Sequence, residues 1–369
     1  MAVQVGPYGV ADNFLGQHFY CALMIKETLV PDISLLEPLV LLGVVEKLPS
    51  PQNMILLNST PRRQVPTQTV TWDIIRGSRQ MAKPNVPNSE AHIVGRLGRE
   101  QASASLLYVR EKKVFEPTTL MWLREAGTVN GKVNAEREVV RELQDLNNRI
   151  DAFVEYTLWK SLGGNLVLDF PDVQANIDYK FPADHKVTAG VSWATASPTQ
   201  IIEDVQAWKK LVLNHGRVAA NRAFATQDTI DRIMHAFAAN ATTGGGLVLQ
   251  TGGALLTDRM KDQYVSTGTL PGFLGLDWTP VEHVYETDNG DEIGYLADDT
   301  IILGNFDTNR PTELLEGPTA DFSAPTNFIG RYSKSWVEPD PSGRQILIEY
   351  NFLPVVTRPE QFVIADVTP

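Results

Sequence analysis

The sequence is poor in the residues that build reactive or cross-linked sites. Among its 369 residues there is one cysteine, Cys21, so neither an intramolecular disulfide nor a cysteine-rich metal cage is available, which fits a reducing compartment. Its neighbour His18 makes no recognisable catalytic motif with it, and Cys21 reads as a buried structural thiol. The other histidines, His92, His185, His215, His235 and His283, form no His-x-His or His-x₃-His pair on one element, so no metal site is expected. His215, just before Gly216, reads as a cation favoured at a helix C-terminus. Positive charge is also scarce. With 32 Lys and Arg against 44 Asp and Glu the net charge is −12, which excludes a general nucleic-acid binder because phosphate repels it. Long apolar runs are missing. The greasiest stretch, Ile33 to Val45, is broken by Glu37 and Pro38 and falls short of the ~20 residues that span a bilayer. The first residues lack a basic region ahead of an apolar core, so no export signal is expected.

Catalytic motifs are equally thin. No Gly-x-Ser-x-Gly elbow occurs. The glycine runs Gly244–Gly246 and Gly252–Gly253 follow an expected helix rather than a strand, and no Lys-Ser/Thr follows them, so they read as a loop and not a phosphate cradle. Asp298-Asp299 reads as a turn, and the sequons at Asn58 and Asn240 as loops. No catalytic residue, cofactor or metal ligand is assigned.

What is present is a folded composition, 43% hydrophobic and 21% charged, long enough for two or three domains of ~150 residues. Proline punctuates the first sixty residues, with Leu35, Leu36, Leu39 and Val40 able to line one face of a short helix. Arg62 to Lys113 differs in charge: ten basic residues against four acidic give +6, leaving −18 for the rest of the chain. Its ends, Thr67–Ile75 and Ala104–Arg110, are rich in β-branched and alternating residues and read as strands. Pro84 and Pro87 exclude a helix between them. The expectation is a long two-armed β-loop with a proline-bearing tip and few core residues of its own.

Asn134 to Leu162 is the best helix, with Val139, Val140, Leu143, Leu146, Ile150, Phe153 and Thr157 at helical spacing. Glu136 and Glu138 are placed in its first turn, a break is considered near Asn147-Asn148, and Gly163-Gly164 is its stop. Strands follow at Asn165–Asp169 and Asn176–Phe181. Ser197-Pro198-Thr199-Gln200 is a capping box opening a helix that ends at Gly216. Helices from Thr226 and around Leu255–Tyr264 come next, then strands over Trp278–Tyr285, Glu292–Leu296, Thr300–Leu303, Gln345–Leu353 and Gln361–Val367. The fold class is α+β.

A basic, core-poor loop on an acidic chain needs a partner, and the nearest source of acid is another copy, in the head-to-tail contact that closes rings and lattices. The expected inter-subunit contacts are Arg62, Arg63, Trp72, Arg76, Arg79, Met81, Arg96, Arg99, Lys112 and Lys113. Glu138, Glu142 and Asp145 of the long helix are their acidic candidates.

The order of parts resembles the major capsid proteins of tailed bacteriophages, in particular the lambda-like capsid protein E family. Trp72–Ala82 resembles the rising arm of that family's E-loop, Asn148–Glu155 its spine helix, and Leu353–Val356 its terminal P-domain strand. The resemblance implies the tailed-phage capsid fold: an N-arm over 1–60, an E-loop over 61–116, a P-domain with its spine helix over 117–193, an A-domain over 194–332, and P-domain return strands over 333–369. It implies a non-enzymatic shell subunit assembled in the bacterial cytoplasm as hexamers and pentamers, enclosing double-stranded DNA that it contacts non-specifically. A separate scaffolding protein, a portal and a decoration protein are the implied partners, and no membrane is. An acidic wall would avoid holding DNA through counterion release. Lys83 and Asn351 are the residue types that cross-link in some relatives of the fold. The alternatives are an encapsulin-type compartment, which shares the fold, and a soluble α+β enzyme.

Overall fold

A computed structural model describes residues 44–45, 48, 51, 54–76, 81–94, 99–116, 131–170, 173–242, 258–287, 290–325, 328–340 and 342–369. The expectations for Cys21, His18, the Leu35–Val40 face, Arg79, Arg96 and the two glycine runs lie outside these residues. The chain divides into two compact units. The larger comprises Leu48–Glu111, Asp145–Tyr332 and Ile348–Pro369; the smaller comprises Met1–Lys47, Lys112–Gln144 and Ser333–Leu347.

The larger unit opens with a short helix α1 (Ile55–Ser59), then β1 (Arg62–Gln64), β2 (Thr69–Ile75) and β3 (Arg99–Ser105). β4 (Leu107–Phe115) runs on into the smaller unit, and α2 (Gly131–Leu162) runs back out of it. α2 is one unbroken helix of 32 residues, with Val139, Leu143, Leu146, Ile150, Val154, Leu158 and Leu162 buried at steps of three and four. Phe153, expected in that stripe, is only half-buried beside it. The helix starts at Gly131, so Glu136 and Glu138 lie beyond the first turn, which holds no acid, and the macrodipole argument for them fails. No break occurs at Asn147-Asn148. The buried Asn147 side chain accepts from the Arg331 guanidinium, which also donates to Asp151, so Asn147 is held by a distant partner instead of opening the helix. Gly164, at φ +95°, ends the turn that follows.

β5 (Asn165–Phe170) and β6 (Val173–Asp178) form an antiparallel hairpin. A 3₁₀ turn at Ala183–His185 leads into β7 (Lys186–Thr188). Then come α3 (Pro198–Gly216), β8 (Arg222–Ala225), α4 (Gln227–Thr242), α5 (Asp258–Thr267), β9 (Leu270–Phe273), β10 (Leu276–Pro280), β11 (Val284–Glu286), β12 (Glu292–Gly294), β13 (Thr300–Gly304) and β14 (Thr312–Glu316). Three strands finish the chain: β15 (Tyr332–Pro339), β16 (Ser342–Val356) and β17 (Phe362–Asp366).

A six-stranded mixed sheet in the order β7-β17-β13-β8-β10-β9 carries a hydrophobic core. Ile201, Val205, Trp208 and Val212 of α3 and Ile230, Ile233 and Phe237 of α4 bury against Trp193, Trp278, Leu303 and Val363. The Trp193 and Trp208 rings stack at 5.5 Å. α3 begins as its sequence dictates. The Ser197 hydroxyl accepts from the Gln200 N–H and the Gln200 side chain accepts from the Ser197 N–H, with proline at the first turn. It ends at Gly216 as expected, and the residue after it, Arg217 at φ 57°, takes the left-handed cap. Gly216 is small for another reason, since a Cβ there would sit 2.8 Å from the Glu360 carbonyl oxygen.

The second sheet contains β1-β14-β16-β15, with β4 also on β16. The two terminal strands part company. β16 returns to the long helix, where Phe352 meets Phe153 edge-on at 5.9 Å. β17 joins the other sheet between β7 and β13, so the expectation that all of 333–369 returns to the long helix is corrected. β17 carries buried Phe362, Val363 and Ala365, an apolar strand that fits a position in the interior of a sheet.

Candidate assembly surfaces

The β-loop is built as two arms with an extended tip. β2 and β3 pair antiparallel without a slip from Thr69 opposite Ser105 to Ile75 opposite Arg99. β2 alternates, burying Val70, Trp72 and Ile74 on one face. Trp72 is 4% exposed and lies 6.2 Å from the Tyr179 ring. It anchors the root of the loop inside its own subunit, which corrects its assignment to an inter-subunit surface. Residues 81–94 have no regular strand and every one is exposed. Met81 is 88% and Ile93 97% exposed, and Val86 and Val94 are also open to solvent.

Five of the cations expected to reach neighbours, Arg62, Arg63, Arg76, Arg99 and Lys113, meet acids within the chain. Cross-strand register puts Arg76 on Glu100 at 3.0 Å and Arg99 on Asp73 at 3.5 Å. Arg63 meets Glu313 at 2.9 Å and Arg62 meets Glu316 at 3.6 Å, because β1 runs parallel to β14. Lys113 pairs with Glu142, the residue types foreseen but joined within one subunit. Most of these groups are half-exposed, where one pair contributes only ~0.2–1 kcal/mol. Lys112 and Asp145 are exposed and Glu138 is half-buried.

Three polar clusters, each built on one buried group, have no counterpart in the sequence reading. The Glu155 carboxylate accepts from the backbone N–H groups of Leu56 and Leu57, at 3.0 and 2.7 Å, and from the Trp159 indole at 2.8 Å. It ties α1 to α2, and burial pushes its carboxyl up although the three donors oppose the shift. Glu349, fully buried on β16, accepts from the Tyr108 hydroxyl at 2.9 Å and faces Arg110 at 3.4 Å. Burial, then the bond to Glu349, push the Tyr108 phenol up to about 12. The third cluster brings together His185, His215 and Asp184. Their only sequence signal is the residue types: the acids lie on apolar helix or strand faces, and the histidines are thirty positions apart.

Asn351 is buried and its amide donates to the Pro318 carbonyl, so it is engaged inside its own subunit, while Lys83 is exposed on the loop tip. Among the described residues no helix is long and apolar enough to cross a membrane.

The chain resembles a prophage capsid protein of Escherichia coli CFT073, with a TM-score of 0.61 at 16% identity over 90% of this chain and 99% of that one. The holo-SrpI encapsulin of Synechococcus elongatus PCC 7942 gives 0.49 at 9% identity, covering 87% of this chain and 91% of that one. The capsid of Ralstonia phage GP4 gives 0.47 at 11%, covering 83% and 85%. No curated protein matches by sequence. The family model for phage major capsid protein E matches residues 38–367. The chain therefore belongs to the phage major capsid protein E family, and it is a structural, self-assembling subunit of a virion capsid with the tailed-phage capsid fold, not an enzyme.

Proposed function

We propose that this subunit forms the hexamers and pentamers of an icosahedral head around double-stranded DNA, and that the tip of its β-loop clasps a neighbouring subunit. The observation that carries the second part is the row of exposed apolar side chains Met81, Val86, Ile93 and Val94 on a tip whose root is packed within its own subunit. Clustered apolar side chains facing water are a signature of an interface. The root pairs Arg76–Glu100 and Arg99–Asp73 neutralise each other within the loop, so the clasp is apolar first and electrostatic second. In this reading Arg79, Met81, Arg96 and Lys112 face the neighbour, and Glu138 and Asp145 offer it acid. The N-arm, E-loop, P-domain and A-domain follow their expected bounds except that β7 and β17, which fall in the expected P-domain ranges, count in the A-domain. Assembly in the host cytoplasm with a scaffolding protein, a portal and a decoration protein completes the proposal. The overall charge of −12 keeps the packaged DNA from binding the wall tightly.

Replacing Met81 and Ile93 together by aspartate tests the clasp. Shells should be lost from electron micrographs while the unassembled chain keeps its circular dichroism and unfolding midpoint. Normal shells from the double variant would overturn it.

A further inference from the structure

Asp184, His185 and His215 sit together at one corner of the six-stranded sheet, where the 3₁₀ turn before β7 meets the end of α3. Their ligand atoms all lie within 4.8 Å of one another. His185 is fully buried, and its Nδ1 lies 2.6 Å from the Phe362 carbonyl oxygen. A carbonyl only accepts, so Nδ1 carries the proton and the neutral ring presents its Nε2 lone pair. That lone pair is 2.7 Å from His215 Nδ1, which is in turn 3.3 Å from Asp184 Oδ2. An N–H bound to a backbone carbonyl is the usual way a metal-ligating histidine is oriented.

We propose that this corner is a structural site for a divalent transition metal of the zinc type, held by His185 Nε2, His215 Nδ1 and one Asp184 oxygen. Bonds of about 2.0–2.1 Å at tetrahedral angles separate ligand atoms by roughly 3.3 Å. The His215–Asp184 distance already matches, and the two nitrogens need to part by about half an ångström, a movement open to the half-exposed His215. In the metal-free pair His215 Nδ1 carries the shared hydrogen; with that hydrogen on His215 Nε2 instead, the Nδ1 lone pair is free for the metal.

A second observation points to the same place. A cavity of about 190 Å³ opens beside His215, lined also by Arg217, Arg358, Glu360 and Gln361. Gln361 is 1% exposed, yet neither its amide oxygen nor its amide nitrogen has a hydrogen-bond partner. A buried amide without partners is costly. A water in the metal's fourth position, seated in this cavity, gives it one. Arg217 and Arg358 weaken the attraction for a dication, and Asp184 and Glu360 offset them. The site would join the start of β7, the end of α3 and the start of β17, the strand whose Phe362 carbonyl orients His185.

The test uses the full chain, stripped with a chelator and dialysed. Cobalt(II) as the probe should bind at one equivalent per chain with the visible absorption of a low-coordinate site, and zinc should displace it and raise the apparent Tm. His215→Ala and Asp184→Asn, at positions exposed enough to leave the fold intact, should each abolish the absorption. His235→Ala, away from the cluster, should leave it unchanged. No binding by the parent chain, or equal binding by His215→Ala, would overturn the assignment and leave the pair a simple hydrogen bond.

Discussion

The six-stranded sheet and the β-loop are opposite solutions within one chain. The sheet is closed over by α3 and α4 and buries whole tryptophans, Trp193 and Trp278 among them. Hydrophobic burial there is complete within the subunit. The loop has a half-buried root and a tip, 81–94, that buries nothing. A region that closes its own core sets the stability of the free subunit, and a region that leaves apolar side chains in water draws its stability from other copies. Mutations in the two regions should therefore separate into those that unfold the subunit and those that prevent the shell.

The largest effect is expected in the sheet. Trp278→Ala leaves a cavity and strands the Phe273 carbonyl that its indole N–H now satisfies, at a cost of ~3–5 kcal/mol in denaturant unfolding of the unassembled chain. Glu155→Gln comes next. Its amide NH₂ must face an N–H donor of Leu56, Leu57 or Trp159, costing ~1–3 kcal/mol by the same measurement. Reversing Arg76 and Arg99 to glutamate should cost the free chain no more than ~1 kcal/mol per broken pair, yet it places like charges on Glu100 and Asp73 and should bend the loop out of its assembling shape. Sedimentation of the variant would then show unassembled, folded protein. A variant that assembles normally would confine the loop's role to its apolar tip. The smallest effect is alkaline. The Tyr108 phenol is raised in the fold, so the stability it contributes is full below pH 10 and falls as pH climbs toward about 12. Tyr108→Phe should flatten that part of a pH-stability profile.

Much of this arrangement is legible in the sequence where a local rule governs it. The Ser197–Gln200 capping box, the apolar stripe of α2 and the first arm of the loop depend on neighbours within a few positions, and the structure has each of them; the second arm, expected over Ala104–Arg110, is instead Arg99–Ser105, and Leu107–Arg110 belongs to β4 on the second sheet. What was not legible depends on distant residues. Asn147 stays helical because Arg331 reaches it, and β1 and β7 are three-residue strands that exist only beside β14 and β17. Trp72 was read from its company of charges as an interface residue, but strand alternation turns it toward Tyr179. The basic surplus of the loop counts its cations correctly but does not point to Glu313 and Glu316, which are remote in sequence and adjacent in the fold, while the expected pairing of Lys113 with Glu142 occurs within one subunit. Nothing in the spacing of His185 and His215 shows that the turn before β7 and the end of α3 meet, with their ring nitrogens 2.7 Å apart.

The contrast between self-sufficient sheet and dependent loop is tested most directly by amide hydrogen exchange on the same protein, free and assembled. The account predicts that amides of β8, β13 and β17 are strongly protected in both states, while those of residues 81–94 exchange freely in the unassembled chain and become protected in the shell. Tip amides that exchange equally fast in intact shells would contradict it.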